Sequence, residues 1–97
     1  MSDVRVVGVG LTPFGSFAER TGRDLFGEAS IEAFDDSGVP REDVEGVLYG
    51  NFMGELSEHQ GHQGPLMAEA AGVRAPATRY ESACASGGTA VREAAMR

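Results

Sequence analysis

The chain has 97 residues, 41% of them hydrophobic, which suits one small domain with a modest core and argues against wholesale disorder. Fifteen Asp and Glu stand against eight basic residues, a formal net charge of -7. That balance excludes a nucleic-acid-binding surface, which needs a basic patch to displace phosphate counterions.

No apolar stretch approaches the roughly 20 residues that span a bilayer. Met1-Ser2-Asp3-Val4-Arg5 lacks the basic-then-apolar layout of a signal peptide. The expectation is a soluble cytoplasmic protein with no membrane association. All eight basic residues are Arg, and there is no Lys. An acidic, lysine-free surface resembles proteins adapted to molar salt, in which dense carboxylates hold water and salt screens their repulsion. An Arg-favouring genome is the alternative. The one cysteine excludes an intramolecular disulfide and a Cys-x-x-Cys redox or zinc pair.

In chain order, Val4-Arg5-Val6-Val7-Gly8-Val9-Gly10 is a β-branched run ending in glycines, the pattern of a buried strand. Leu11 to Gly15 reads as a loop around Pro13. Thr21-Gly22-Arg23-Asp24 forms a capping-box-like helix start. Leu25, Phe26, Ala29, Ala33 and Phe34 then fall on one face, and Gly38 with Pro40 ends the helix. Arg41 to Val44 suffices for one turn of helix. Gly46 to Phe52 is a second strand, followed by a loop from about Met53 to Gly64. Pro65 suits a helix start, with Leu66, Met67, Ala70 and Ala71 apolar and Gly72 closing it. Ala77 to Ser82 is a third strand, and from Gly87 through Met96 the residues are good helix formers. The order β-α-β-α-β-α predicts an α/β fold with a mostly parallel sheet. The chain stops inside the last helix, so it is expected to be part of a longer domain.

The chemistry centres on Cys84, in Glu81-Ser82-Ala83-Cys84-Ala85-Ser86-Gly87-Gly88. A strand ending near Ser82 and a helix starting near Gly87 put the thiol in a sharp connection at a helix N-terminus. Unpaired amides and the helix dipole there stabilise negative charge on sulfur and can steady an oxyanion. Small neighbours let a carbonyl substrate reach the sulfur, as nucleophilic catalysis requires. On these grounds alone, a buried cysteine packed at a strand–helix junction is an equal reading.

The stretch Glu81 to Ala90 resembles the active-site signature of the thiolase family, a nucleophilic Cys followed by x-Ser-Gly and a helix with small residues. Val6 to Gly15 looks like the family's first strand and its Thr-Pro-Phe-Gly turn. Val47 to Asn51 is similar to its second strand, and Gln60 to Pro65 with Ala71-Gly72-Val73 resembles its next loop and helix. The Ala-Cys-Ala-Ser-Gly-Gly form is most similar to archaeal and sterol-carrier-protein-x-like thiolases. It departs from the bacterial type, in which an Asn usually stands where Glu81 or Ser82 is.

The resemblance implies a thiolase-like layered fold of which residues 1–97 are the N-terminal part, since the family's N-terminal half has a five-stranded mixed sheet. It implies acyl transfer between coenzyme A thioesters through an acyl-cysteine at Cys84, with no permanently bound cofactor, at the head of isoprenoid synthesis. It also implies a homodimer or homotetramer, with a hydroxymethylglutaryl-CoA synthase and an OB-fold protein as partners. The activating His and the acid/base Cys of the family lie in its C-terminal half. Neither His59 nor His62 matches that His motif, so residues 1–97 alone are expected to be inactive. A non-catalytic interaction module, or a gene remnant, is the reading from another class.

Three weaker patterns are set against this one. His59-Gln60-Gly61-His62 has two His without a third ligand at helical spacing, a poor metal site. Gly8-x-Gly10-x-x-Pro13 begins like a dinucleotide fingerprint, but no helix opens there to receive a pyrophosphate. Ser82 to Ser86 resembles a hydrolase nucleophile elbow with Cys for Ser, but Ser stands where that elbow needs Gly.

Overall fold

The computed structural model describes residues 3–54, 58 and 61–97. Among them the order is α1 (Gly22–Ser37), a 3-10 turn (Arg41–Asp43), β1 (Val47–Gly50), α2 (Gln63–Ala71), β2 (Ala77–Tyr80) and α3 (Ser86–Met96). β1 and β2 pair in parallel, Val47 opposite Ala77 through Gly50 opposite Tyr80. A parallel pair needs a crossover, and α2 lies in that connection. The fold is therefore α/β, compatible with the N-terminal part of a thiolase.

Helix α1 begins where local chemistry dictates. The Asp24 amide donates to the Thr21 hydroxyl at 3.2 Å, and the Thr21 amide donates to the Asp24 carboxylate at 2.9 Å. These reciprocal bonds satisfy two otherwise orphaned amides. α1 and α2 both end on glycines with left-handed backbone, Gly38 (φ 72°) and Gly72 (φ 74°).

The core is small. Val47, Ala68, Ala71 and Val73 are buried together, and Phe26, Phe34, Val44, Ala75 and Ala77 pack against them. Phe26 meets Tyr49 edge-to-face, with ring centroids 5.4 Å apart. Arg41 ties the 3-10 turn to this layer. Its Nε donates to the Ala71 carbonyl at 3.0 Å, and its guanidinium lies 4.5 Å from the centre of the Phe34 ring. A cation on the last carbonyls of α2 also complements the helix dipole.

The first expected strand does not form. Val4 to Gly10 makes no ladder and instead runs along α1. Gly8 and Gly10 lie so close to the α1 backbone at Ala29 and Ala33 that neither could carry a β-carbon. The Val9 amide donates to the Asp36 carboxylate at 3.0 Å. A cleft of about 600 Å³, lined by Val7, Phe34, Val47 and Leu48 among others, opens between this segment and β1. Val6 is 81% exposed. A β-branched run becomes a strand only where a sheet edge pairs with it, and among the described residues no edge meets these valines. Two strands are thus present among the described residues where three were expected. No helix among them is long and apolar enough to cross a membrane.

Candidate active site

Strand β2 ends at Tyr80 and α3 begins at Ser86, so Glu81 to Ala85 form the connection that carries Cys84. The thiol is free and exposed. Immediately before it, Ala83 takes a left-handed backbone, φ 51°. That conformation costs a non-glycine residue about 1–2 kcal/mol and persists only where the surroundings impose it.

Ser86 supplies much of that imposition. It is 4% exposed between the exposed Ala85 and Gly87. Its hydroxyl accepts from the Ser82 amide at 2.8 Å and donates to the Ala83 carbonyl at 2.7 Å. The Ser86 amide donates to the same carbonyl at 3.2 Å, and the Ala85 amide to the Ser82 carbonyl at 3.0 Å. From the other side, the Ala83 amide donates to the Glu81 carboxylate at 2.6 Å. Thr89, one turn into α3, donates to the Ala85 carbonyl at 3.0 Å and lies 3.1 Å from the Ser82 hydroxyl. The backbone on both sides of Cys84 is therefore held by bonds that converge on the start of α3.

The sheet sets where that start lies. Gly50, the last residue of β1, packs against the main chain of Ser86 and Gly87. The Asn51 amide continues the ladder to the Tyr80 carbonyl at 3.2 Å. Arg79 donates to the carbonyls of Asn51 and Phe52 at 3.0 and 3.1 Å, clamping the chain that leaves β1 to the end of β2.

Helix α3 has no side-chain cap, since Ala85 occupies the capping position. Its first turn, Ser86-Gly87-Gly88, keeps the partial positive charge of a helix N-terminus beside the residue that follows Cys84. A β-carbon at Gly87 or Gly88 would point into open space. An exposed thiol, a strained turn that presents it and an uncapped helix end together suit attack of sulfur on a carbonyl carbon.

A cleft of about 790 Å³, lined by Arg20, Arg23, Glu28 and Glu69 among others, lies along α1 and α2 and does not include the Cys84 turn. A smaller one, about 380 Å³, is lined by Phe26, Tyr49, Asn51 and Glu58 among others. Burial, and then the Glu58 carboxylate, push the Tyr49 phenol above its ordinary value. Of the two histidines, His59 lies outside the described residues, while His62 is exposed at the start of α2. No group of three His, Cys, Asp or Glu that could hold a metal ion occurs among the described residues.

Sequence reading located Cys84 and the small residues around it, and the structure keeps them together at one strand–helix junction. It missed the bonds of the Ser86 hydroxyl, the packing of Gly50 on the helix start and the left-handed Ala83. A Ser at the first position of a helix was the available clue to Ser86, because that hydroxyl can reach back to the preceding turn.

Residues 4–97 match the family described as "Thiolase, N-terminal domain". The acetyl-CoA acetyltransferase of Methanocaldococcus jannaschii is 40% identical over 97 residues, covering 99% of this chain and 25% of its own length. That of Methanothermobacter thermautotrophicus is 41% identical over the same span, again with 25% of its length covered. The chain thus spans about a quarter of the length of the curated relatives it matches. A match across residues 4–97, together with archaeal relatives at this identity, shows that the chain belongs to the thiolase family.

Proposed function

We propose that the full-length protein is an acetyl-CoA acetyltransferase that works through an acyl-cysteine on Cys84. The observation that carries this reading is the exposed thiol on a strained turn at the uncapped N-terminus of α3. The names of the archaeal relatives support the substrate. Coenzyme A thioesters are the substrates, and no permanently bound cofactor is required.

In the first half-reaction the Cys84 sulfur attacks the acetyl carbonyl carbon. Charge that develops on the carbonyl oxygen is stabilised by amide dipoles, which the start of α3 supplies without reorganisation. The carbon–sulfur bond to coenzyme A then breaks. Coenzyme A leaves with that electron pair and takes up the proton that Cys84 has lost. In the second half-reaction a second acetyl-CoA, deprotonated at its methyl carbon, attacks the acetyl-cysteine. Acetoacetyl-CoA forms, sulfur leaves as the thiolate, and the proton removed from the methyl carbon restores the Cys84 thiol.

The proton carriers, a His and a second Cys by family resemblance, lie outside these 97 residues, so this span alone does not turn over. Condensation at the head of isoprenoid synthesis, a cytoplasmic location, a homodimer or homotetramer, and association with a hydroxymethylglutaryl-CoA synthase and an OB-fold protein complete the proposal.

Cys84→Ala in the full-length protein is the test. Loss of the nucleophile is expected to reduce acetyl transfer between thioesters by roughly 1,000-fold or more, with the fold retained. A variant within tenfold of wild type would show that another group carries the acetyl.

A further inference from the structure

We propose that Ser86 is a positioning residue for the acylation of Cys84, acting by holding Ala83 in its left-handed conformation; this rests on the reading of Cys84 as nucleophile. Ser86 does not touch the sulfur in any contact described above. Its hydroxyl bridges the two sides of Ala83 instead, taking the Ser82 amide at 2.8 Å and giving its proton to the Ala83 carbonyl at 2.7 Å. One small hydroxyl thereby uses its single donor and an acceptor lone pair on the backbone immediately before the nucleophile.

Burial makes the arrangement specific. Ser86 is 4% exposed, whereas Ser82, Ala83, Cys84 and Ala85 are all exposed. The exposed turn has little packing of its own to keep it in register, so its conformation depends on hydrogen bonds. Ser86 is also the residue against which Gly50 packs. The hydroxyl therefore refers the turn to an atom set that the sheet already fixes.

Remove the hydroxyl and two consequences follow. The Ser82 amide and the Ala83 carbonyl lose that partner, and Ala83, still bonded to the Ser86 amide and the Glu81 carboxylate, is held less firmly against relaxation toward right-handed backbone, the conformation that L-residues prefer. A rotation at Ala83 swings Cα and sulfur of Cys84, the next residue. Attack requires sulfur about 3–3.5 Å from the carbonyl carbon and aligned with it, and a misplacement of about 1 Å can cost about 100-fold. The bond that forms is Cys84 sulfur to acetyl carbon, and the bond that breaks is acetyl carbon to coenzyme A sulfur. Ser86 takes part in neither and sets only the starting geometry.

The test is rapid-quench measurement of acetyl-Cys84 formation in the full-length enzyme. Ser86→Ala is expected to slow acylation roughly 10- to 100-fold while KM for acetyl-CoA stays within about twofold. Two rescues separate positioning from general stability. Ser86→Thr keeps the hydroxyl and is expected to recover most of the rate. Ala83→Gly, added to Ser86→Ala, lets the turn reach its left-handed conformation without strain and is expected to recover part of it.

Acylation of Ser86→Ala within twofold of wild type would overturn the assignment, as would a loss that neither rescue reduces. If wild type turns over without acetyl on Cys84, the nucleophile reading falls and the assignment falls with it. If Cys84 is acetylated and only the Ser86 results fail, the nucleophile reading stands alone.

Discussion

The α-carbon of Gly50, at the end of β1, rests against the main chain of Ser86, at the start of α3. A β-carbon at Gly50 would lie 2.6 Å from the Ser86 carbonyl carbon and 2.8 Å from the Gly87 α-carbon. Both are backbone atoms, so neither can rotate away. Gly50→Ala is expected to push α3 off the sheet, at about 1–3 kcal/mol by denaturant unfolding. The same shift moves Cys84, so acylation is expected to slow even in the fraction that stays folded. A variant with wild-type stability and wild-type acylation would show that the helix start is not set by this contact.

The capping box of α1 makes a prediction with a pH signature. Thr21→Ala is expected to cost about 1 kcal/mol, the usual worth of a hydroxyl cap. The Asp24 carboxyl is held below its ordinary value of 3.8, chiefly by the Thr21 amide that donates to it. A depressed folded-state value means stability that is present above the unfolded-state value and lost as pH falls through the lower one. Acid unfolding followed from pH 6 downward is therefore expected to lose part of its slope below about pH 4 in Asp24→Asn. An unchanged acid limb in that variant would remove Asp24 from the account.

Local chemistry was legible in the sequence, and placement in three dimensions was not. The start of α1 at Thr21, its end at Gly38 and the stop of α2 at Gly72 depend on residues within a few positions of each other. The expected start of α2 at Pro65 falls two residues inside the observed one, because Gln63 and Gly64 are buried and already helical. The valines from Val4 to Val9 carry a strand pattern, but strand formation depends on a partner edge that no local rule supplies. Cys84 was legible as a thiol between a strand and a helix. The role of Ser86 was not, because it exists only once Ala83 has turned left-handed and brought Ser82 back over the helix start.

Met67 is fully buried in α2, with no exposed surface. Met67→Ala is expected to destabilise the fold by about 2–5 kcal/mol, from lost burial plus the cavity left behind. Calorimetry or denaturant unfolding of the full-length variant measures it. A loss under about 1 kcal/mol would mean that the site collapses around the smaller side chain or is not closed.

The absence of Lys and the formal net charge of -7 predict dependence on ionic strength. Helicity of the full-length protein is expected to fall when it is moved from molar salt into dilute buffer, as repulsion between carboxylates is unscreened. Circular dichroism across that range decides the matter. Unchanged helicity would rule out salt adaptation as the reason for the composition.

The most direct test of Cys84 as the acyl acceptor is to quench the full-length enzyme during turnover with acetyl-CoA and map the acetyl group by peptide mass spectrometry. The account predicts a single acetyl on the peptide containing Cys84, formed as fast as turnover and released by a second acetyl-CoA or by free coenzyme A. Acetyl on any other residue, or none while the enzyme turns over, would contradict it.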